Sequence, residues 1–402
     1  MYKLNIFSCI AFTIFIIIGC NRKIYDFDRA LPVKSPYSKE VTSIMSKRQK
    51  KYYQNIAAAI KEERGLTIVA AIASAKNGKV NDDFLQYQSG YVRFSKYETA
   101  EHRQNLLMAN ERILKGVKEM NFTPAKVYWS PVASPGFAAF TTPLQLLNSR
   151  FSDGALVEIS NAIESNLTNM SYVLLNLVAE TSEKFDNNTS SQVVKFRTKG
   201  QIDSLFSKEK YFQHSFNANL LEYFFYEKKT ESDSAFALHD NMTGLMVGDE
   251  ALLFICSHEY AHVLLKHVHS LQPLRFSPED TSVMSKNSIP IGEVSISNEF
   301  SADSLGLLLC RRQTYGFIAA ATAVALIWLD ITERIQAAKY NYVVYLTHPP
   351  AKERLNALSR QMQRLGMDDE TLKSFFYCYE LLWKDFNSVL QKRLKSNSVF
   401  KE

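Results

Sequence analysis

Two histidines and the glutamate between them are the residues of this chain whose spacing indicates a specific chemistry. His258 and His262 lie four residues apart in the segment His-Glu-Tyr-Ala-His, so on a helix both imidazoles leave the same face, one turn apart. At that spacing two ring nitrogens can bind one Zn²⁺ at about 2 Å. Glu259 is placed to take a proton from a water molecule at the metal. The pattern predicts a zinc site that activates water.

Such a zinc ion needs a third protein ligand. One class of sites has a glycine three residues after the second histidine and a third histidine six residues after it, but these positions hold Leu265 and Val268. His267 and His269 would be turned away from the metal-binding face of the helix, so they are interpreted as packing or surface histidines. The third ligand is therefore expected to be the carboxylate of Glu299, on a second helix.

The residue four positions after this glutamate supports the same interpretation. Asp303 would lie on the same helical face as Glu299, where it can hydrogen-bond a ligand imidazole and fix its tautomer. Two histidines and one glutamate leave one coordination position for water, which is typical of catalytic zinc sites. The sequence thus predicts one Zn²⁺ per chain.

Three segments occur in an order that matches a known pattern. The first is residues 258–267, in which a further histidine follows the zinc-binding pair by five residues. The second, residues 299–306, reads E-x-x-A-D-x-x-G, and the third, residues 347–355, contains His-Pro-Pro followed by Arg354. Together they resemble the HtpX-type and CAAX-prenyl-protease-type gluzincin family of zinc peptidases, especially its soluble periplasmic members. The resemblance covers about residues 235–360.

This resemblance implies a gluzincin-like catalytic domain that cleaves proteins. It also implies a substrate-binding edge strand just before the metal helix, at about residues 236–245. His348 either donates a hydrogen bond to the oxyanion of the transition state, or it stabilises the Pro-Pro turn while Arg354 bridges to the core. The His-Glu-Tyr-Ala-His helix is also similar to that of the phage-exclusion peptidases of the Lit type.

The first twenty residues have the pattern of a lipoprotein signal peptide. Lys3 precedes an apolar run over residues 4–18, and Gly19-Cys20 then completes a lipobox. The run is short for a membrane span, although an uncleaved anchor helix is the alternative. Cys20 is therefore predicted to carry lipid and to anchor the protein in the cell envelope, at the outer membrane or periplasm if the host is Gram-negative.

Composition agrees with a folded enzyme. Hydrophobic residues make up 46% of 402 residues, enough to bury a core in two or three domains. The net charge is +6, but no block of Lys and Arg is dense enough to indicate nucleic acid as a partner. Cys256, Cys310 and Cys378 show no metal-type spacing. Cys256 and Cys310 lie in apolar runs on the two predicted ligand helices and are expected to be buried thiols, with a disulfide between these helices as the alternative.

The predicted fold is mainly α (α+β), with at most a small sheet beside the active-site helix. A signal peptide over residues 1–19 and a lipidated tether over residues 20–39 precede an α-rich region of unknown role over residues 40–200. The zinc peptidase domain follows over residues 201–360, and C-terminal helices occupy residues 361–402. No recognisable chemistry is found before residue 200.

Local patterns give expectations for single elements. Residues 101–118 are expected to be helical, residues 121–143 irregular and residues 155–185 one long helix. In the catalytic half, Asp249 is the expected N-cap of a metal helix that runs to about Ser270.

The loop that follows and the later helices are also predicted. Residues 271–297 are expected to form a lid, with Ser297 as the N-cap of the second ligand helix. The apolar run over residues 317–329 is too short for a membrane span and predicts a core helix. After Pro350, two amphipathic helices are expected to pack against the catalytic domain and to end at about Lys395.

The function predicted from these observations is an exported, lipid-anchored zinc endopeptidase acting on proteins or peptides, with envelope protein quality control as the implied role. Two alternatives stay open at this stage. One is a non-catalytic lipoprotein that keeps the zinc-bound fold as a binding module. The other is a protease of narrow specificity, similar to the Lit type.

Overall fold

The computed structural model describes residues 37–45, 47–48, 100–132, 139–186, 189–208, 216–217, 242–270, 293–311, 317–340 and 349–396. The predicted signal peptide, Cys20, His348 and residues 271–292 of the expected lid lie outside the described residues. The same holds for residues 236–238, where the substrate strand was expected to begin.

Helices make up most of the described structure, which confirms the expectation of a mainly helical fold. In chain order they are α1 (Ala100–Glu119), α2 (Leu144–Leu147), α3 (Asn161–Val178), α4 (Lys199–Lys208), α5 (Met242–Leu264), α6 (His267–Ser270), α7 (Glu293–Arg311), α8 (Ile318–Tyr340), α9 (Ala351–Arg364) and α10 (Glu370–Ser396). Residues 39–45 are also helical.

The described strands form two small sheets. The first has the order β1-β3-β2, with β1 (Val127–Val132) parallel and β2 (Ala139–Pro143) antiparallel to the central β3 (Ala155–Ser160). Every residue of β3 is buried, as expected for a central strand covered on both faces. The second sheet is a hairpin of β4 (Ala179–Asp186) and β5 (Thr189–Phe196).

These strands correct two local expectations. Residues 121–143 contain β1 and β2 and are not simply irregular, while residues 155–185 are divided among β3, α3 and most of β4 and do not form one helix. The segment Ala-Leu-Val-Glu-Ile-Ser of β3 is rich in apolar residues, and such a short apolar run has no period that separates a buried strand from a helix. Pairing with β1 and β2 decides its conformation.

Both ligand helices begin earlier than their predicted caps. Helix α5 begins at Met242, so Asp249 lies inside it, and α7 begins at Glu293, so Ser297 also lies inside a helix. Residues 242–245 are therefore helical and do not belong to the expected substrate strand. Polar residues that can cap a helix are also tolerated within one when their side chains bond to the preceding turn or to solvent. In α5 the buried residues Thr243 and Val247 precede Asp249, so packing continues past this polar residue.

The helix that carries His258 and His262 ends before the predicted residue. Helix α5 stops at Leu264, and Lys266 adopts a positive φ of 60° before the short α6 begins at His267. A left-handed residue ends a helix by turning the chain sharply. His267 consequently does not occupy the position that a continuous helix would give it.

Helix α8 is the core helix expected from the apolar run. All residues from Ile318 to Thr332 are buried, including Trp328. Among the described residues, no helix combines the length and apolar character needed to cross a membrane.

The C-terminal helices form as expected. Helix α9 packs against α7 and α8, and α10 packs against α8 and α3. Gly366, with a φ of 66°, lies in the turn between α9 and α10 and supplies the left-handed conformation that this turn requires. Residues of α9 and α10 belong to the same hydrophobic core as α5 and α7, so the C-terminal helices support the two helices that carry the predicted ligands.

Candidate metal centre

Helix α5 presents its two histidines inside the protein. Its residues from Ala251 to Ala261 are all buried, which explains why an apolar segment of this length forms a helix through the core. His258 and His262 are 5% and 8% exposed, and Glu259 is 6% exposed. Three polar side chains therefore lie in a mostly apolar environment, where each needs a partner.

Helix α7 brings a carboxylate to the same point. Glu299 and Asp303 lie one turn apart on the face of α7 that packs against α5, and both are buried. Gly306 continues this face towards the C-terminal end. A Cβ atom at Gly306 would lie only 3.0 Å from the backbone nitrogen of His258. The two helix backbones thus approach closely at this glycine, and this brings Glu299 within reach of the histidines.

The distances among the three side chains fit one bound metal ion. Nε2 of His258 lies 3.1 Å from Nε2 of His262, and the carboxylate oxygens of Glu299 lie 3.4 Å and 3.3 Å from these two nitrogens. Two ligands of a tetrahedral ion, with bonds of about 2.0–2.1 Å, are about 3.3–3.4 Å apart. His258, His262 and Glu299 therefore form a buried group that could hold a metal ion.

Asp303 and Arg354 support one of these histidines. Oδ1 of Asp303 lies 2.9 Å from Nδ1 of His258, and this favours the tautomer in which Nε2 is free to bind a metal. The guanidinium of Arg354, from α9, donates hydrogen bonds to both oxygens of Asp303, with Nε at 2.7 Å from Oδ2. Both side chains are almost completely buried.

The charges of this chain of contacts compensate one another. Burial alone would raise the pKa of Asp303, but the adjacent Arg354 lowers it to about 2. Burial lowers the pKa of His258, yet the Asp303 and Glu299 carboxylates outweigh it and raise the pKa to about 10 in the absence of a metal. A cation is thus favoured at this position, as a proton on His258 or as a metal ion that replaces it.

His267 contacts the second histidine, contrary to the expectation that it only packs or faces solvent. Its Nδ1 lies 3.1 Å from Nδ1 of His262, because the turn at Lys266 brings the chain back towards the metal group. Burial and the neighbouring His262 lower the pKa of His267 to about 4. A neutral His267 can accept a hydrogen bond from Nδ1 of His262, which again leaves Nε2 for a metal. His267 is not part of the metal-binding group itself.

The side chain of Glu259 is held by a hydrogen bond from a residue outside α5. The hydroxyl of Thr141, in β2, donates a hydrogen bond to Oε2 of Glu259 at 2.7 Å and lies 3.4 Å from the backbone oxygen of the same residue. The hydroxyl of the next residue, Tyr260, accepts a hydrogen bond from the backbone nitrogen of Ala125 at 2.8 Å. The three-stranded sheet therefore contacts α5 at the predicted base, and the segment before β1 contacts α5 at the next residue.

The structure thus unites most of the residues predicted from the sequence. The side chains of His258, His262 and Glu299 converge. Asp303 lies beside the ring of His258, one of the two predicted histidines, and the side chain of Arg354 is buried in the core. Cys256 and Cys310 are buried free thiols, as expected, and Cys378 is also buried and free.

Thr141 was not predicted, although it lies before residue 200, where no chemistry was recognised. It is 118 positions from Glu259, and a threonine in a short strand gives no local sign of such a contact.

The chain was compared with protein-family models, with curated proteins and with solved structures, and no match was found in any of the three comparisons.

Proposed function

We propose that this protein is a zinc-dependent endopeptidase. The observation that carries the proposal is the convergence of three buried side chains, His258, His262 and Glu299, at ligand-to-ligand distances of 3.1–3.4 Å. Lone pairs of two imidazoles and a carboxylate that face one another in a buried site repel unless a cation lies between them. A metal ion supplies that cation.

The donor set favours zinc among the common metals. Two imidazole nitrogens and one carboxylate oxygen match the ligands of catalytic zinc sites, whereas Mg²⁺ and Ca²⁺ prefer oxygen ligands throughout. A bound zinc ion would make a water molecule more acidic and polarise a peptide carbonyl.

Glu259 is placed to act as the general base. It follows a ligand directly in the sequence and is buried beside the metal group. Its carboxylate takes a proton from the attacking water as the water oxygen bonds to the carbonyl carbon of the substrate. The same carboxylate then passes this proton to the amide nitrogen as the C–N bond breaks, so the products are a carboxylic acid and an amine.

The position of β2 supports a polypeptide as substrate. Among the described strands, β2 lies at an edge of its sheet and carries Thr141 against α5. An extended peptide can pair with the edge of a sheet through its backbone. Together with the resemblance to gluzincins, this favours proteins as substrates, and misassembled envelope proteins are the implied class.

The lipobox pattern at Gly19-Cys20 extends the proposal to an exported, membrane-anchored protein. This extension of the proposal rests on the sequence alone. Incorporation of a radiolabelled fatty acid by the wild type, and its loss in Cys20→Ala, are the expected results.

The decisive experiment combines metal content with hydrolysis of casein by the full chain. The wild type is expected to hold one zinc ion per chain and to cleave casein. Glu259→Gln should keep the zinc but lose activity by about 10²–10⁴-fold, because it removes proton transfer and none of the ligands. Cleavage by Glu259→Gln at the wild-type rate would refute the assignment of the base.

The same measurements separate the alternatives. Zinc binding without cleavage of casein or of any protein in a proteome would replace the proposal by a metal-stabilised binding module. Cleavage of a single protein in a proteome would indicate a protease of narrow specificity.

A further inference from the structure

The contact between Thr141 and Glu259 joins the predicted base to a part of the chain in which the sequence shows no chemistry. We infer that Thr141 is a positioning residue, which orients the Glu259 carboxylate for proton transfer. This inference rests on the proposed peptidase function.

The contact is specific to one carboxylate oxygen. The Thr141 hydroxyl lies 2.7 Å from Oε2 of Glu259, a normal length for a hydrogen bond to a carboxylate. Among the described residues, no Lys or Arg forms an ion pair with Glu259, and Thr141 is its side-chain hydrogen-bond partner. A buried carboxylate that loses its partner pays a desolvation cost, so the hydroxyl determines the preferred orientation of the group.

This geometry gives the two carboxylate oxygens different roles. With Oε2 engaged by Thr141, rotation of the carboxylate is restricted and Oε1 is left to accept the proton from water. The same Oε1 then returns the proton to the leaving amine. A base whose accepting oxygen is fixed in advance avoids reorientation during the reaction.

Thr141 is suited to this task because its own position is well determined. It pairs with Val157 of the central strand β3, and a β-branched side chain in a strand has few rotamers. On the neighbouring residue of α5, the Tyr260 hydroxyl also donates a hydrogen bond to the backbone oxygen of Ala125 at 3.1 Å. The sheet is thus held to α5 at Glu259, and the segment before β1 is held at the next residue, Tyr260. These contacts fix the position of Thr141 relative to Glu259.

Three variants of the full chain test the inference. Thr141→Val keeps the shape and the strand preference but removes the hydroxyl, and Thr141→Ser keeps the hydroxyl. Thr123→Val makes the same change at an exposed threonine that lies outside the described helices and strands, so it controls for the loss of a threonine hydroxyl elsewhere in the chain.

The inference predicts a specific pattern in the kinetic constants. In Thr141→Val, kcat for casein peptides should fall about 10–100-fold, with KM within about twofold of the wild type and one zinc ion still bound. Thr141→Ser should restore most of kcat, and Thr123→Val should match the wild type. A merely structural role would instead change zinc content or KM, or would leave Thr141→Ser as impaired as Thr141→Val.

A second measurement does not depend on activity. In metal-free protein, Thr141→Val should lower the Tm when Glu259 is present, because the buried carboxylate then lacks its partner. In a Glu259→Ala background the same change should shift the Tm much less. Equal shifts in the two backgrounds would show that the two side chains are not coupled.

The outcomes distinguish failure of the inference from failure of the proposed function. An active wild type with an equally active Thr141→Val, or with additive Tm shifts, overturns the role of Thr141 and leaves the peptidase intact. A zinc-loaded wild type that cleaves no more than Glu259→Gln overturns the peptidase and, with it, the positioning role.

Discussion

Arg354 binds both oxygens of the Asp303 carboxylate, and Asp303 in turn lies 2.9 Å from the ring of His258. This places a cation from α9 two contacts away from the metal group. A bidentate arginine fixes the plane of a carboxylate more tightly than a single charge would. The orientation of the His258 ring therefore depends on a residue 96 positions later in the chain.

Asp303→Asn is the first test of this relationship. The variant keeps the size of the side chain but removes the charge that holds His258 and that Arg354 neutralises. Zinc affinity is expected to fall about 10–100-fold, the usual effect of losing the partner of a ligand histidine. Arg354→Lys should also lower the zinc affinity, because a lysine cannot bind both carboxylate oxygens in one plane.

Competition with a chromophoric chelator measures these affinities. Glu353→Gln, a change at an exposed residue next to Arg354, is the control and should bind zinc as the wild type does. Unchanged affinity in Asp303→Asn would show that this carboxylate does not support the metal.

The same pair predicts a dependence of stability on pH. Arg354 lowers the pKa of Asp303 from 3.8 to about 2, so the folded protein stabilises the ionised form. The unfolded chain binds the proton on Asp303 more tightly than the folded protein does, so stability falls as the pH is lowered. The stabilisation, about 2 kcal/mol, is complete above about pH 4 and is lost as the pH falls towards 2. Denaturant unfolding of metal-free protein between pH 2 and 5 measures this change.

The slope over this range should be smaller in Asp303→Asn than in the wild type. Asp153→Asn provides a matched comparison, because Asp153 is exposed and pairs with Lys126 at the surface, where ion pairs contribute little. Its slope should equal that of the wild type. An Asp303→Asn protein with the wild-type slope would contradict the assignment.

Gly306 controls how closely the two ligand helices approach each other. In Gly306→Ala the new Cβ would lie 3.0 Å from the backbone nitrogen and 3.1 Å from Cα of His258, so α7 must move away from α5. We expect the free energy of unfolding to fall by about 1–3 kcal/mol and zinc affinity to fall with it, because Glu299 moves with α7. Chemical denaturation and zinc competition measure the two effects.

Gly200→Ala is the matched control, since a Cβ at Gly200 in α4 has no neighbour within 4 Å. It should leave zinc affinity unchanged and stability equal or slightly higher, because alanine favours a helix over glycine. Wild-type zinc binding in Gly306→Ala would show that the close helix contact is not required for the site.

His267 is expected to fix the tautomer of His262. His267→Ala removes the acceptor that lies 3.1 Å from Nδ1 of His262, and zinc affinity should fall about 10–100-fold. His267→Gln offers an amide oxygen as the acceptor instead and should lower the zinc affinity less than His267→Ala does. If both variants bind zinc as tightly as the wild type, His267 serves packing alone.

The side chains that could hold a metal ion were predictable from the sequence because their geometry is largely local. The four-residue spacing of His258 and His262, and that of Glu299 and Asp303, puts each pair on one face of a helix whatever the rest of the chain does. The length of an apolar run predicted the core helix α8, and amphipathic periodicity predicted the two C-terminal helices. Local patterns were less informative at the helix ends, because Asp249 and Ser297 resemble caps although both helices begin several residues before them.

Only the tertiary structure decided which residues surround these ligands. The left-handed turn at Lys266 brings His267 back to His262. Two strands from a segment that looked irregular pair with a strand from a segment that was expected to be helical, and β2 places Thr141 at Glu259, the proposed base. These contacts depend on backbone torsions and on packing between segments more than a hundred residues apart, and neither leaves a periodic pattern in the sequence. The spacing of residues thus determined which groups could bind a metal, and packing determined how they are held.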